Sequence, residues 1–497
     1  MVKMRTFLCC LFVVLFGAHN LYAQDEQQAS EKPDTADLDF EKVLKKKFDF
    51  IFSDKKLKNT TLSAHVYSLS SQKELYSWGA DKVLTPASAV KLFTGYVALK
   101  SLGPSFRWVT KVQAKGVYKD SVLNGDIYLQ GGGDPSLVSE RLYLLAEQFL
   151  RSGITRVRGN LYVDASIFDD VLIDPNRLDT STDRAYNAPI SGLSFNYNTT
   201  SVYFRPGDKS DGSAKVYVSP DTGYIDLVNQ SKTRLKNTRY GLIASRIPAE
   251  TTDKVLVKGT IPMGFPEQTS YFNVTHPDIY AGYALKHFLK LVGVRVSGKV
   301  LRKKVPSGTR TLAVIESLPL SDVVTLMNKF SNNFIADTLV KTIGYKFKGA
   351  PGSMKKGLEV MREEATNIGI NRAGFKLVSG SGLTRENMMS AKHFTKIINA
   401  AYISFDSLPE LLTSLPIAGT DGTMRSRLRD TAAFGSLRAK TGTLNGVSSL
   451  AGVVQSRGGE LLAFSILMQN NSKSGISYRS WQNNFAKALA DFNRKVD

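Results

Sequence analysis

The pattern of apolar and polar positions divides the chain into three textures. The segments "LSAHVYSL" and "ELYSWG", separated by "SSQK", alternate with period two and predict a β-hairpin. "TPASAVKLFTGYVALKSLG" then switches to helical spacing. Thr85 is expected as its N-cap, Pro86 as its first helical position and Gly103 as its stop. From about Ser105 to Arg310 the texture is mainly β: "RWVTKVQAKG", "GDIYLQGGGD" and "RGNLYVDASIF" read as short strands. One clear helix, "DIYAGYALKHFLKLVG", interrupts them. Past Arg310 the helical period returns. "PLSDVVTLMNKFSNNFIADTLVKTIG" predicts a helix, a short break and another helix; "GSMKKGLEVMREEATNIG" and "SAKHFTKIINAAYIS" predict two more. The chain ends in a three-stranded meander, "RAKTGTLNGVSSLAGVVQSRGGELLAFSILMQN", and a helix from about Ser480. No internal repeat is visible.

The first residues stand outside this pattern. Lys3 and Arg5 precede an apolar run from Phe7 to Gly17, and Ala23 offers a small residue before polar "QDEQQ". Residues 1–23 therefore read as a cleavable secretory signal, and 24–39 as a polar, disordered lead-in. The expected destination is the periplasm or cell envelope. Cys9 and Cys10 both lie inside the signal and are not placed for lipid attachment, so the mature chain has no cysteine. That excludes a disulfide framework, a thiol nucleophile and a thiolate metal site. The full chain carries +21; without Lys3 and Arg5, 63 basic residues face 44 acidic ones, a net +19. In an exported protein this charge points to anionic envelope polymers or peripheral membrane contact rather than to nucleic acid. A basic surface without a specific partner accounts for it equally well. About 470 residues exceed one core and imply two or three domains.

Candidate chemistry starts at Ser88 and Lys91. Ser-x-x-Lys is a weak pattern; it recurs at Ser53, Ser70 and Ser353, in polar surroundings. Ser88 differs because it opens an apolar helix, where residues three apart share a face and the helix N-terminus favours negative charge. The mature chain has four histidines, His65, His276, His287 and His393, and none sits in a metal or triad signature. A nucleophilic serine here needs a lysine base, and a lysine base must be held partly neutral by burial or another cation. Lys440, in "AKTGT", is the expected second cation, with Gly442 allowing close approach of a substrate. "SNN", Ser331 to Asn333, falls at the break between two helices and offers a hydroxyl and an amide.

Ser-x-x-Lys, Ser-x-Asn and Lys-Thr-Gly, in this order, resemble the signature of penicillin-binding proteins and serine β-lactamases. The long gap between Ser88 and Ser331, with "GGGDPSL", "VDASIF", "NNFIADTL", "SGSGLTRENMMSA" and "LPIAGTDGTM", is similar to the low-molecular-mass class C penicillin-binding proteins, the D-alanyl-D-alanine carboxypeptidase/endopeptidase family. The resemblance implies an α/β (α+β) main domain, an antiparallel sheet flanked by helices, over 40–103 and 310–497. It implies two mainly β inserted domains, one over 104–200 and 266–309 and one over 201–265. It also implies roles. Ser88 would form the acyl-enzyme and Lys91 would take its proton. Ser331 would relay a proton, Asn333 would hold Lys91 and the substrate amide, and Lys440 would supply positive potential. Thr441 would hold the terminal carboxylate, and the N–H groups of Ser88 and Thr443 would form an oxyanion hole. Asp164 and Arg385, with Asn445 near them, match positions that hold diaminopimelate in relatives. The implied partners are peptidoglycan stem peptides, with β-lactams as covalent inhibitors; no cofactor or metal is expected. Ser379 departs from the family, which commonly has Asp there. Two alternatives stand beside this reading. A serine β-lactamase would use the same acylation groups, but the Glu-x-x-Leu-Asn phrase of class A is absent. A decayed wall-binding protein would not need three intact motifs.

Overall fold

The computed structural model describes residues 35–495 except 181, 372 and 471–476. The expected signal, and most of the expected lead-in, lie outside the described residues. Where the lead-in is described it is not irregular. Helix α1 (Thr35–Phe52) begins inside it, and Leu44, Phe48 and Phe52 recur every four residues and are buried. Phe48 meets Tyr76 and Phe485 with ring centroids 4.8 and 4.5 Å apart. The hairpin follows as β1 (Thr61–Ser68) and β2 (Lys73–Trp78).

The next helix differs from expectation at its start. A single 3-10 turn, Ala87–Val90, precedes α2 (Lys91–Leu102), and Pro86 stands at the N-cap without a side-chain bond. Thr85 does not cap; its hydroxyl donates to the carbonyl of Arg385 at 3.2 Å. Lys91 to Leu99 are all buried, so α2 is enclosed on every side, as an apolar helix with little amphipathicity must be.

The inserted stretch opens with β3 (Val109–Lys119) and β4 (Val122–Gln130), then α3 (Ser139–Leu150), β5 (Arg156–Val157) and β6 (Leu161–Asp164). Strands β7 (Thr199–Arg205), β8 (Lys215–Ser219), β9 (Ile225–Arg234), β10 (Ile243–Pro248), β11 (Asp253–Pro262) and β12 (Gln268–Asn273) form two three-stranded sheets, β12-β7-β8 and β10-β11-β9. Val202, Phe204, Val255, Val257 and Ile261 fill the space between them. Helix α4 (Pro277–Leu291) and strands β13 (Arg295–Val296), β14 (Val300–Arg302) and β15 (Arg310–Glu316) return to β3–β6 and complete a seven-stranded sheet. Thus β12 pairs beyond residue 265 and β15 beyond 309.

The chain then supplies α5 (Leu320–Phe330), α6 (Asn333–Lys348), α7 (Met354–Asn367), α8 (Ala391–Ile403), α9 (Leu408–Ser414), β16 (Arg438–Leu444), β17 (Val447–Gln455), β18 (Leu461–Gln469) and α10 (Arg479–Ala490). The meander joins the first hairpin in one antiparallel sheet, β16-β17-β18-β1-β2. Its two faces carry different cores: Ala463 and Leu467 of β18 face the cluster around α2, while Phe464, Ile466 and Met468 face α1 and α10. Burial on both faces explains why "LLAFSILMQ" reads as a nearly continuous apolar run. The fold is α+β, an antiparallel sheet between helices.

Candidate active site

Two helix ends and an edge strand bring the motifs together. Ser88 lies in the 3-10 turn just before α2, and Lys91 is the first residue of α2. Ala87, immediately before the serine, has φ 47°, a conformation costly for a residue with a Cβ. Its carbonyl is received by Gly382, where a Cβ would stand 2.0 Å from that oxygen. Ser331 closes α5 in the left-handed region, φ 55° and ψ 38°, while the Asn332 side chain accepts from the N–H of Ile335 at 3.0 Å and starts α6. This tight reversal turns both Ser331 and Asn333 towards Lys91 and Lys440. Lys440, Thr441, Gly442 and Thr443 lie on β16, the edge strand. A Cβ at Gly442 would meet Ser449 Oγ at 2.2 Å and Pro86 O at 2.6 Å, so the strand runs hard against the Ser88 turn.

Lys91 is fully buried. Its Nζ lies 2.9 Å from Ser88 Oγ, 2.7 Å from Asn333 Oδ1 and 2.5 Å from the Ser381 carbonyl. Two of these partners can only accept, and the third can donate. A neutral amine that accepts from Ser88 satisfies all three, as does an ammonium that donates to each, so burial decides between the two forms. Burial pushes the Lys91 pKa down to about 7; the Asp337 carboxylate opposes this shift and the Arg177 guanidinium adds to it. Arg177 is thus a cation acting on Lys91 that was not expected, beside the mutual repulsion of Lys91 and Lys440. Lys440 is also fully buried, donating to Ser331 Oγ at 2.9 Å and to the Thr441 carbonyl at 2.8 Å. Burial, and then the charge of Lys91, hold its pKa well below the usual lysine range. Thr441 Oγ1 donates to Thr423 Oγ1 at 2.8 Å. Ser88, Ser331, Thr441, Gly442 and Thr443 line one cavity of about 230 Å³.

Behind Lys91 is a group the sequence did not announce. Asp337 and Arg177 pair at 3.1 Å with both side chains buried. Asp337 Oδ1 also accepts from the Ser381 N–H at 3.0 Å and from Ser379 Oγ at 3.4 Å. Ser379 Oγ in turn accepts from the N–H groups of Ser381 and Gly382 at 3.2 and 3.3 Å. With Ser at 379, the carboxylate supporting this loop comes from α6. Arg177 belongs to the inserted stretch, and so does Tyr186, whose carbonyl accepts from Asn333 Nδ2 at 3.0 Å. The insertion thus buttresses the catalytic motifs. The available signal was "NNFIADTL", where Asp337 stands among apolar residues on a helix.

Arg385 and Asn445 are brought together: Arg385 Nη2 donates to the Asn445 carbonyl at 2.5 Å. Asp164 is placed apart. It is buried in the inserted region, its two carboxylate oxygens accept from the N–H groups of Ser166 and Val305 at 2.9 and 2.8 Å, and it lines a different cavity, beside Thr342 and Lys346. These residues follow Asn333 on α6 by nine to thirteen positions, or roughly 14–20 Å. Asp164 caps the loop after β6 and lines a cavity other than the one that holds Ser88. The other Ser-x-x-Lys serines have structural partners: Ser70 Oγ accepts from the N–H of Leu461 at 3.1 Å. Ser353 caps α7 by accepting from the N–H of Lys356. His65 is held between Thr395 and Glu74, and His393 caps α8 from within, so neither serves Ser88.

A half-buried serine next to a fully buried lysine, beside an edge strand, suits a serine hydrolase that works without histidine. The chain belongs to the D-Ala-D-Ala carboxypeptidase 3 (S13) family, whose pattern matches residues 44–493. It is 34% identical to the D-alanyl-D-alanine carboxypeptidase of Actinomadura sp. (strain R39) over 90% of this chain and 85% of that one. Its fold is shared with penicillin binding protein 4 (dacB) from Haemophilus influenzae, at a TM-score of 0.77 and 24% identity over 90% of this chain and 99% of the other. It is shared more distantly with the Bd3459 predatory endopeptidase of Bdellovibrio bacteriovorus, at 0.51 and 18% over 88% and 95%. The protein is a serine-type D-Ala-D-Ala carboxypeptidase.

Proposed function

We propose that Ser88 is the nucleophile and Lys91 its base. The observation that carries this is the fully buried Lys91 amine, 2.9 Å from Ser88 Oγ, in a partner set that suits its neutral form. Ser88 Oγ attacks the carbonyl of the penultimate D-Ala as its proton passes to Lys91. The N–H groups of Ser88 and Thr443 receive the oxyanion. Ser331, bonded to Lys440, carries a proton towards the departing amine, and the C–N bond breaks to leave an ester on Ser88. Water then attacks that ester by the same route and frees the serine. Asn333 holds Lys91 and the substrate amide, and Thr441 orients the terminal carboxylate, whose charge favours protonated Lys440. The free edge of β16 pairs with the extended stem peptide as an added strand, while Gly442 keeps that strand close to the serine. A β-lactam, which presents a strained acyl group and a carboxylate, acylates the same hydroxyl. Arg385 and Asn445 border this cleft and are the proposed contacts for the stem-peptide side chain. We assign 40–103 and 317–497 to the catalytic domain, with the intervening stretch, which ends in β15, as two inserted domains. The protein acts in the bacterial envelope after removal of residues 1–23. Among the described residues no helix is long and apolar enough to cross a membrane, and the net charge suits peripheral contact with anionic polymers or lipid. The test is labelling with a fluorescent penicillin: the intact protein labels at Ser88, and folded Ser88→Ala neither labels nor releases D-Ala. Undiminished labelling of the variant would overturn the assignment.

A further inference from the structure

A separate cavity of about 410 Å³ lies where the inserted stretch meets α6, and the reaction at Ser88 does not use it. Its walls come from the start of β3, the loops after β6 and β14, and the last turns of α6. Four cations line it: Arg107, Lys111, Lys304 and Lys346. The acids nearby compensate them weakly. Asp164 gives both carboxylate oxygens to backbone N–H groups. Glu316 stands 3.8 Å from Arg107 Nε, with both side chains exposed, and such a pair contributes little. Among the described residues Lys111, Lys304 and Lys346 have no carboxylate within ion-pair distance. Lys346 sits instead over the rings of Phe106 and Tyr345, 5.0 and 6.0 Å from their centroids.

An ordinary structural role accounts for one of the four. Lys346 lies in the last turn of α6, where a cation offsets the helix dipole. That does not explain why three other segments bring Arg107, Lys111 and Lys304 to the same concavity. A cleft lined by one sign of charge focuses the field and concentrates counter-ions. The donor set points to the kind of anion. A carboxylate has two oxygens in a plane, and one guanidinium fork satisfies it. A phosphate spreads its charge over more oxygens and takes lysines as point charges from several directions. We propose that this cavity is a binding site for a phosphate group, carried by a lipid headgroup or by a soluble phosphate ester. Its volume falls in the range of small-molecule sites, which leaves room for the group that bears the phosphate. A bound anion would tie the inserted stretch, through Arg107, Lys111 and Lys304, to Lys346 of the catalytic part. The site is independent of the Ser88 assignment.

The test titrates the full chain with inorganic pyrophosphate at fixed ionic strength, by calorimetry, with citrate as the carboxylate control. One pyrophosphate should bind per chain and raise the unfolding temperature. Lys304 and Lys346 are exposed, so the double variant Lys304→Ala/Lys346→Ala should keep the fold, checked as an unchanged rate of penicillin labelling. It should bind pyrophosphate at least about tenfold more weakly, the size of a lost charged hydrogen bond. Lys209→Ala, which removes an exposed lysine outside the cavity, should bind as the intact chain does. Phosphatidylglycerol vesicles and soluble glycerol phosphate separate the two sources: the one whose binding the double variant weakens carries the phosphate. No saturable pyrophosphate binding, an affinity unchanged in the double variant, or citrate binding more tightly than pyrophosphate would overturn the site.

Discussion

The two walls of the cleft each bury a lysine completely, yet they use it differently. Lys91 meets three partners that suit an amine with a lone pair, and an ion pair stands behind it. Lys440 meets one hydroxyl and one carbonyl on an edge strand. Burial lowers the proton affinity of both. In the proposed mechanism what separates the two lysines is their surroundings: an Asp337–Arg177 ion pair stands behind Lys91, while Lys440 sits on an edge strand open to an incoming carboxylate.

The strongest challenge to this contrast is removal of the base. Lys91→Met keeps the length and apolar bulk of the side chain and should lower the acylation rate by about 10²–10⁴-fold, the usual range for a positioned general base. The pH profile sharpens the point. The neutral amine is the active form, so kcat/KM should rise about tenfold per pH unit below the Lys91 pKa of about 7 and level off above it. An ordinary lysine would keep rising to about pH 10.4. A profile still climbing at pH 9 would place the base elsewhere.

The second challenge falls on the ion pair. Asp337 raises the Lys91 pKa and pairs with buried Arg177. Asp337→Asn leaves that guanidinium uncompensated and should cost about 3–5 kcal/mol of stability, read from denaturant unfolding. In the surviving folded fraction the acid limb of kcat/KM should move to lower pH, because the group that holds the proton on Lys91 is gone. A limb that stays in place would show that Asp337 serves the fold alone.

These two effects differ in how far they could be read from the chain. Ser88, Lys91, Ser331 and Asn333 follow from motif and element position because each lies at a break in secondary structure, which local pattern reveals, and Lys440 follows from its motif on β16. The meander and most helices were legible for the same reason. Helix α1 was hidden by its polar, lysine-rich composition, and α3 by the β texture around it. Arg177 and Asp337 are 160 residues apart, and nothing local marks either as the other's partner. The left-handed Ala87 and the 3-10 turn that carries Ser88 arise from the approach of the Gly382 loop, a tertiary contact that no propensity encodes.

Asp164 supplies the smallest expected effect on catalysis and the clearest test of where specificity lies. Both its oxygens serve backbone N–H groups of the inserted region, closing the turn after β6 onto the segment after β14. Asp164→Ala strands two donors and should cost about 1–3 kcal/mol of stability. Kinetically it should do little: the ratio of kcat/KM for stem peptides bearing diaminopimelate and lysine should match that of the intact protein. Arg385→Ala gives the contrast, because Arg385 is exposed beside Asn445 and should alter that ratio with little cost in stability. If Asp164→Ala abolished the preference while unfolding at the same denaturant concentration as the intact protein, the carboxylate would have to swing out of its backbone cradle to meet substrate, and the separation between insertion and cleft drawn from α6 would fail.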